Sequence, residues 1–164
     1  MQSRVPTYSL IILSVLFALL LDIYPLPFEY RILRPQFVLL VVIYWIFILP
    51  QGASLLLLLV LGVLQDVISG APIGQHPLML MPLAYLCLRS YRRARHFSRW
   101  QEVLWVFILV AAAELVAYWV QSLLGRRFSG FEFLLPALAS ALVWPGVALA
   151  LDGFRRRYRI SRQV

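Results

Sequence analysis

The stretch FVLLVVIYWIFILPQGASLLLLLVLGVLQDVISGAPIGQHPL, residues 37–78, decides the fold of this chain. Residues 36–68 are almost uninterrupted apolar sequence, which is too long for one membrane-spanning helix of about 20 residues. Pro50-Gln51-Gly52 lies near the middle of this run, and proline together with glycine is a turn signal. We therefore predict two helices joined by a tight turn, with a single kinked and steeply tilted helix as the alternative.

Composition places the chain among integral membrane proteins. Of its 164 residues 62% are hydrophobic and 13% are charged, whereas soluble domains have about 45–50% apolar and about 25% charged residues. A water-soluble fold of this size could not bury so much apolar surface. We predict an all-α protein of six transmembrane helices, which forms one membrane domain over residues 1–164. The predicted spans are roughly 8–24, 36–49, 53–68, 77–90, 100–124 and 131–153.

The arginines indicate how the spans are oriented. The net charge is +8 and the basic residues are all arginine, a bias that topology explains better than nucleic-acid binding does in a membrane protein. With six spans, most arginines fall on the side of both termini, which the positive-inside rule makes cytoplasmic. This basic patch could also attract anionic phospholipids at about 1 kcal/mol per residue, or contact a cytoplasmic protein. Its members are Arg89, Arg92, Arg93, Arg95, Arg99, Arg155, Arg156 and Arg157.

The turn after the third predicted span is a candidate partner or pocket site. Gly70 suits the left-handed position that follows a helix, and Pro72 cannot continue the helix. His76 lies ten residues after Asp66 across the turn, so the two side chains could meet. Asp66 either caps the turn or stays close to water, or else it presents this hairpin to a periplasmic partner. The candidate residues of the turn are Asp66, Gly70, Pro72, Gly74 and His76.

Glu114 is the most unusual residue, because VAAAELVAYW, residues 110–119, places it deep in the fifth predicted span. An ionisable group at that depth costs a few kcal/mol and normally faces the bundle interior, a cavity or a partner. Glu114 could contact a partner or a polar ligand, or it could be a protonated glutamate hydrogen-bonded inside the bundle. We expect its removal to impair partner retention more than removal of Asp66 does.

Signatures of catalysis are missing from the sequence. It contains no Gly-x-Ser-x-Gly elbow, no Walker loop, no His-Glu-x-x-His and no Cys or His cluster with metal spacing. The polar residues of the spans look scattered rather than gathered at one depth. We therefore expect no enzymatic activity, no metal and no cofactor. The small residues of the last two spans, such as Ala113 and Ala117, predict that these two helices pack most closely.

Two stretches carry a family resemblance: RPQFVLLVVIYWIFILPQ, residues 34–51, and LGVLQDVISGAPIGQHPLMLMPLAYL, residues 61–86. They combine Arg-Pro at the start of the second helix, Tyr-Trp late in that helix, and an acidic residue before Ile-Ser-Gly ahead of the fourth helix. This combination, together with Trp144-Pro145 in the last span and the chain length, resembles the MreD family of bacterial rod shape-determining membrane proteins. One departure is Gln65 before Asp66, where the family commonly has leucine.

The resemblance implies a location, a fold and partners. MreD-like proteins lie in the bacterial inner (cytoplasmic) membrane and are similar in fold to the substrate-binding (S) components of energy-coupling-factor transporters. They bind MreC and help link MreB filaments to peptidoglycan synthesis by RodA and a class B penicillin-binding transpeptidase, so that rod shape is maintained. No enzymatic activity is attributed to the family. The alternative that the transporter-like fold suggests is a membrane binder of a small molecule or a lipid headgroup.

Overall fold

The computed structural model describes residues 5–23, 33–52, 54–94, 96–125 and 130–157. Within these ranges the chain forms six α-helices and no strand, so the all-α prediction is confirmed. Each helix coincides with one of the six predicted apolar runs to within a few residues at either end. The helices are α1 Val5–Ile23, α2 Phe37–Ile48, α3 Leu55–Ser69, α4 Gln75–Ala94, α5 Arg99–Leu123 and α6 Leu134–Arg157.

The long apolar run is divided into α2 and α3. A 3-10 turn at Pro50–Gly52 separates them, and the backbone N–H of Gly52 donates to Leu49 O at 3.0 Å. Proline has no N–H with which to extend the hydrogen-bond ladder of α2, so the helix ends before it. The prediction of two helices is confirmed, and the single kinked helix is wrong.

Helix α2 is the central helix of the bundle. Nearly all of its side chains are buried, and it packs against α1, α4 and α6 and more lightly against α5. The sequence Phe37–Ile48 is apolar on every side of the helix, and such a helix must be surrounded by protein or lipid. Here the neighbouring helices surround it, and the core of the protein forms around it.

Two hydrogen bonds show that α2 and α6 run in the same direction. The backbone N–H of Gln36 donates to Ser140 Oγ at 2.9 Å, and Tyr44 Oη donates to Asp152 Oδ1 at 2.7 Å. From the first bond to the second, the residue on α2 and its partner on α6 both move toward the C-terminus. Only parallel helices allow this. The C-terminal ends of α2 and α6 therefore lie at the same end of the bundle.

Helices α4 and α5 run in opposite directions. Gln121 Nε2 donates to Gln75 Oε1 at 3.2 Å, and Trp105 Nε1 donates to Ser90 Oγ at 3.2 Å. We call the end of the bundle that holds the C-terminal ends of α2, α4 and α6 the arginine end. The opposite end, where α1, α3 and α5 finish, is the carboxylate end.

Helices α5 and α6 share the most extensive helix–helix contact in the described structure, as their small residues predict. Ala113 and Ala117 of α5 are buried, as are Ala137 and Ala141 of α6. These two helices are also long and apolar enough to cross a membrane. Only 28% of the most apolar 18-residue segment of each helix is buried inside the bundle. Much of this apolar sequence therefore faces outward.

Candidate functional site

The Asp66 carboxylate closes the hairpin between α3 and α4. Its Oδ2 accepts a hydrogen bond from Gly74 N at 2.6 Å, and its Oδ1 accepts one from His76 N at 3.0 Å. His76 Nδ1 lies 2.6 Å from the same Oδ1. Asp66 is only 1% exposed. The structure shows the contact of Asp66 with His76, and of the alternatives left open for Asp66 it shows the cap of the turn.

The glycines of the hairpin give the turn its shape. Gly70 adopts the left-handed conformation at φ 64°, and the backbone N–H of Ala71 donates to Asp66 O at 3.0 Å. Gly74 has φ 100°, a conformation that glycine adopts without steric cost. Pro72 O accepts from Gln75 N at 3.1 Å and leads directly into α4. The turn thus aims the first N–H groups of α4 at Asp66.

Gly62 brings the two helices of this hairpin into contact. A Cβ atom on Gly62 would lie 2.6 Å from Pro77 N and 2.8 Å from Pro77 Cα. Gly62 precedes Asp66 by one helical turn, so the two share a face of α3. The absence of a side chain at Gly62 lets α3 approach α4 closely enough for Asp66 to reach the N-terminus of α4. Gly62 is a further residue of this hairpin, beyond those predicted from the sequence.

A second polar group, which we call the Glu114 cluster, joins residues from five helices or their ends. Gln65 Nε2 donates to Asp22 Oδ2 at 3.3 Å. The Glu114 side chain is hydrogen-bonded to the Gln36 side chain and lies within electrostatic range of Asp22. The fold therefore gathers polar residues at one place, and the expectation that they are scattered is wrong. The cluster comprises Asp22, Arg34, Gln36, Gln65, Glu114 and Ser140.

Asp22 lies at the N-terminus of the central helix. Its carboxylate is beside the first two residues of α2, Phe37 and Val38, and within electrostatic range of the Arg34 guanidinium. The backbone N–H of Phe37 donates to Pro35 O at 3.1 Å, and Arg34 Nη2 donates to Leu21 O at 3.0 Å. Asp22 thus places a carboxylate at the start of α2, where the helix dipole favours one. No local pattern marks this role, because Asp22 simply follows the first apolar run.

Two acceptor atoms of the Glu114 cluster have no hydrogen-bond partner in the described structure. They are Gln65 Oε1 and Glu114 Oε1, and both are buried. Gln65 as a whole is 4% exposed. A buried acceptor without a partner costs about 1–3 kcal/mol. Both atoms can therefore accept a hydrogen bond from a further donor. Glu114 faces the bundle interior, which is one of the positions that its sequence context predicts.

The arginines of the basic patch that the structure describes lie at the arginine end, near the C-terminal ends of α4 and α6 and at the start of α5. Arg92, Arg93, Arg156 and Arg157 are exposed. Arg155 is different, because its Nη2 lies 3.1 Å from Asp152 Oδ1 and its side chain is 13% exposed. It belongs to the interior contact between α6 and α2 more than to the surface patch. Arg89 and Arg99 are also exposed, and Arg95 lies outside the described residues.

Comparison with known proteins gives two matches. The family described as rod shape-determining protein MreD matches residues 3–152. A rod shape-determining protein MreD from Haemophilus influenzae is 31% identical over 161 residues, which cover 98% of this chain and 99% of that protein. No solved structure matches the chain significantly. The residues matched by the family include the Asp66 hairpin and the whole Glu114 cluster.

Proposed function

This chain belongs to the MreD family of rod shape-determining proteins, and from that premise we propose that it is a non-enzymatic membrane component of the bacterial cell-elongation complex. In this role it binds MreC directly. It helps to link MreB filaments to peptidoglycan synthesis, with RodA and a class B penicillin-binding transpeptidase in the same complex. The family match over nearly the whole chain is the observation that carries the proposal.

The proposal includes six membrane spans in the inner membrane. On α5, Trp100 and Trp119 are both exposed and lie about 28 Å apart along the axis at 1.5 Å per residue. The hydrocarbon core is about 30 Å thick, and tryptophans favour its two interfaces. Helix α3 supports the placement as well, because its outward face is apolar. The exposed residues of that face are Leu55, Leu56, Leu57, Leu59, Val60, Val63, Leu64, Val67 and Ile68.

The positive-inside rule orients the bundle, with the arginine end and both termini in the cytoplasm. Helix α2 is only about 18 Å long at 1.5 Å per residue, shorter than the hydrocarbon core. Its side chains are nearly all covered by the neighbouring helices, so the length of α2 is not set by contact with lipid along its sides. We also propose that this fold, with a central buried helix among six, is similar to that of the S components of energy-coupling-factor transporters.

The hairpin tip at the carboxylate end is the surface that we propose for contact with MreC. Ile73 is 85% exposed between Pro72 and Gly74, beyond the end of α3. In the proposed orientation it faces the periplasm, where a large apolar side chain gains nothing from lipid. Burial of such a side chain by a partner contributes about 1.5–3 kcal/mol, enough to matter at an interface.

Copurification tests this proposal. The tagged chain and MreC are expressed together, extracted in a mild detergent, and the amount of MreC retained per tagged chain is measured. The Ile73→Asp variant should lose at least nine-tenths of the retained MreC. The matched control is Phe131→Asp, since Phe131 is 76% exposed in a different loop at the same end, and it should retain MreC. If the unaltered chain never retains MreC, the proposed role is wrong; if both variants retain it, the hairpin is not the contact surface.

In addition to the contact with MreC, we propose that the arginine end binds anionic phospholipids. Arg92 and Arg93 are exposed at the end of α4, and Arg156 and Arg157 are exposed at the end of α6. Replacing all four by glutamine should weaken the binding of phosphatidylglycerol to the purified protein by about 4 kcal/mol, at about 1 kcal/mol per arginine, which is more than about a hundredfold. Equal retention by the variant and the unaltered chain would show that these arginines serve topology alone.

The alternative function, a membrane binder of a small molecule or lipid headgroup, is favoured by one observation. The Glu114 cluster holds two buried acceptors with no partner in the described structure, Gln65 Oε1 and Glu114 Oε1. This alternative is compatible with a role in the elongation complex, because the cluster and the hairpin tip are different parts of the carboxylate end.

A further inference from the structure

We propose that the Glu114 cluster binds the headgroup of an ethanolamine phospholipid, with its primary ammonium against Glu114, Asp22 and Gln65 and its phosphate beside Arg34. The inference rests on the proposed placement of the chain in a membrane. It does not rest on MreC binding, so the two can fail separately.

The hydrogen-bonding groups of the cluster call for a donor. Gln65 Oε1 and Glu114 Oε1 both accept and both lack a partner in the described structure. The Gln65 carboxamide is oriented by its Nε2, which donates to Asp22 Oδ2 at 3.3 Å. Turning the carboxamide over would set its oxygen against the carboxylate, so Oε1 stays available. Three acceptor groups therefore face one region of the bundle.

The charge of the cluster calls for a cation. Two carboxylates, Asp22 and Glu114, are accompanied by one guanidinium, that of Arg34. Arg34 already donates to Leu21 O, and the Asp22 carboxylate also lies beside the N-terminus of α2. Glu114 has Gln36 as its hydrogen-bond partner and no cation paired with it in the described structure. A positively charged group with several N–H donors satisfies both the charge and the free acceptors.

Part of the cluster lies at the surface of the bundle, while its unpaired acceptors are buried. Asp22, Arg34, Gln36 and Glu114 are each partly exposed, whereas Gln65 is buried. Asp22 lies in the last turn of α1, and Gln36 immediately precedes α2. The polar groups thus lead inward from the headgroup level of the carboxylate end, with Gln65 at the inner limit.

An ethanolamine phospholipid fits these features better than the other common headgroups. Its ammonium offers three N–H donors, whereas the fully methylated ammonium of choline offers none. Its phosphate follows within a few bonds and matches the Arg34 guanidinium at the rim, since guanidinium groups bind phosphate well. Glycerol headgroups carry no cation for Glu114. The acyl chains would lie along the apolar outer faces of the neighbouring helices.

The test compares lipids that differ only in N-methylation. The purified, detergent-solubilised chain is incubated with dioleoyl phosphatidylethanolamine or dioleoyl phosphatidylcholine, and bound lipid is counted by native mass spectrometry. We expect at least tenfold tighter binding of the ethanolamine lipid. This comparison uses the unaltered chain, so it decides the question even where a variant fails to fold. Equal binding of the two lipids would overturn the proposal.

Two variants localise the effect. Glu114→Gln should reduce the preference for ethanolamine over choline to within about twofold, while the same change at Glu102, at the arginine end of the same helix, should preserve it. Retention of phosphatidylglycerol should be unchanged in both. A folded Glu114→Gln protein that keeps the full preference would place the lipid elsewhere and overturn the assignment. Glycerophosphoethanolamine, the headgroup without acyl chains, should bind far more weakly; equal binding would indicate a soluble ligand instead of a lipid.

Discussion

Replacement of Asp66 by alanine tests the capping arrangement at the α3–α4 hairpin. The change removes an acceptor for two backbone N–H groups, those of Gly74 and His76, and for His76 Nδ1. Each donor left buried without a partner costs about 1–3 kcal/mol. One water molecule could enter the space of the lost carboxylate and satisfy part of the loss. We therefore expect a loss of about 2–4 kcal/mol in the free energy of unfolding.

The loss should appear in the apparent unfolding temperature in detergent. A change of 1 kcal/mol shifts the midpoint by about 2–4 °C for a chain of this size, so Asp66→Ala should unfold about 5–15 °C lower. Cys87 supplies the probe, because its thiol is fully buried and reacts with a fluorogenic maleimide only after the bundle opens. Asp66→Asn, which keeps one acceptor oxygen, should fall between the alanine variant and the unaltered chain.

The pair with His76 separates the side-chain contact from the caps. His76→Ala leaves both backbone hydrogen bonds to Asp66 in place, so it should cost less than Asp66→Ala. In the double variant the His76 change should cost almost nothing more, with a coupling of about 0.5–3 kcal/mol. Ser69→Ala in the same hairpin, at an exposed position, is the control and should change stability by less than about 0.5 kcal/mol. An Asp66→Ala protein that unfolds within 2 °C of the unaltered chain would refute the reasoning.

Three further predictions concern helix contacts. Gly62→Ala should reduce the free energy of unfolding by about 1–3 kcal/mol through overpacking, because its Cβ would lie 2.6 Å from the α4 backbone. The apparent unfolding temperature should fall accordingly. Gly146→Ala, whose Cβ would meet nothing within 4 Å, should be neutral or stabilising. A thermal shift assay that ranks the two variants in the opposite order would contradict this. Tyr44→Phe should cost about 1.5–3 kcal/mol through loss of the 2.7 Å bond to Asp152, and much less when Asp152 is already asparagine. Arg155→Gln should destabilise the fold, whereas a patch-only role would leave the unfolding temperature unchanged.

The course of the backbone could be predicted from the sequence because its signals are local. The division of residues 36–68 into two helices follows from Pro50 and Gly52 alone, and the apolar runs bound the other helices. Gly70 in the left-handed position is equally local, since a helix that ends before a proline favours glycine there. Such features depend on neighbours within one or two turns, and those neighbours are visible in the sequence.

The Glu114 cluster could not be predicted in the same way. Asp22 meets Gln65 across more than forty residues, and Gln36 meets Ser140 across more than a hundred. No periodicity links such positions, because the contacts arise only when α1, α3 and α6 pack around α2. Gly62 did leave a signal: a glycine inside a helix costs about 1 kcal/mol relative to alanine, which implies a packing reason.

The unpaired N–H groups at helix starts explain why so apolar a chain keeps Asp22 and Asp66 near the carboxylate end. The first N–H groups of a helix have no partners within it, and lipid cannot supply any. At α4 the Asp66 carboxylate supplies acceptors. At α2, where Gln36 makes no side-chain cap, the Asp22 carboxylate of the preceding helix lies beside the N-terminus. At the other end, arginines in the last turns of α4 and α6 complement the negative ends of the helix dipoles.

Asp66 and Glu114 should differ in the property that each controls. Asp66 makes three close contacts within one hairpin, so its removal should act first on stability. Glu114 has Gln36 as its hydrogen-bond partner and one oxygen without any in the described structure, so its conversion to glutamine should change stability little. Its loss should act on the binding of a lipid or partner, in line with the expectation that Glu114 outweighs Asp66 in partner retention. A Glu114→Gln protein with normal binding and a much lower unfolding temperature would reverse this assignment.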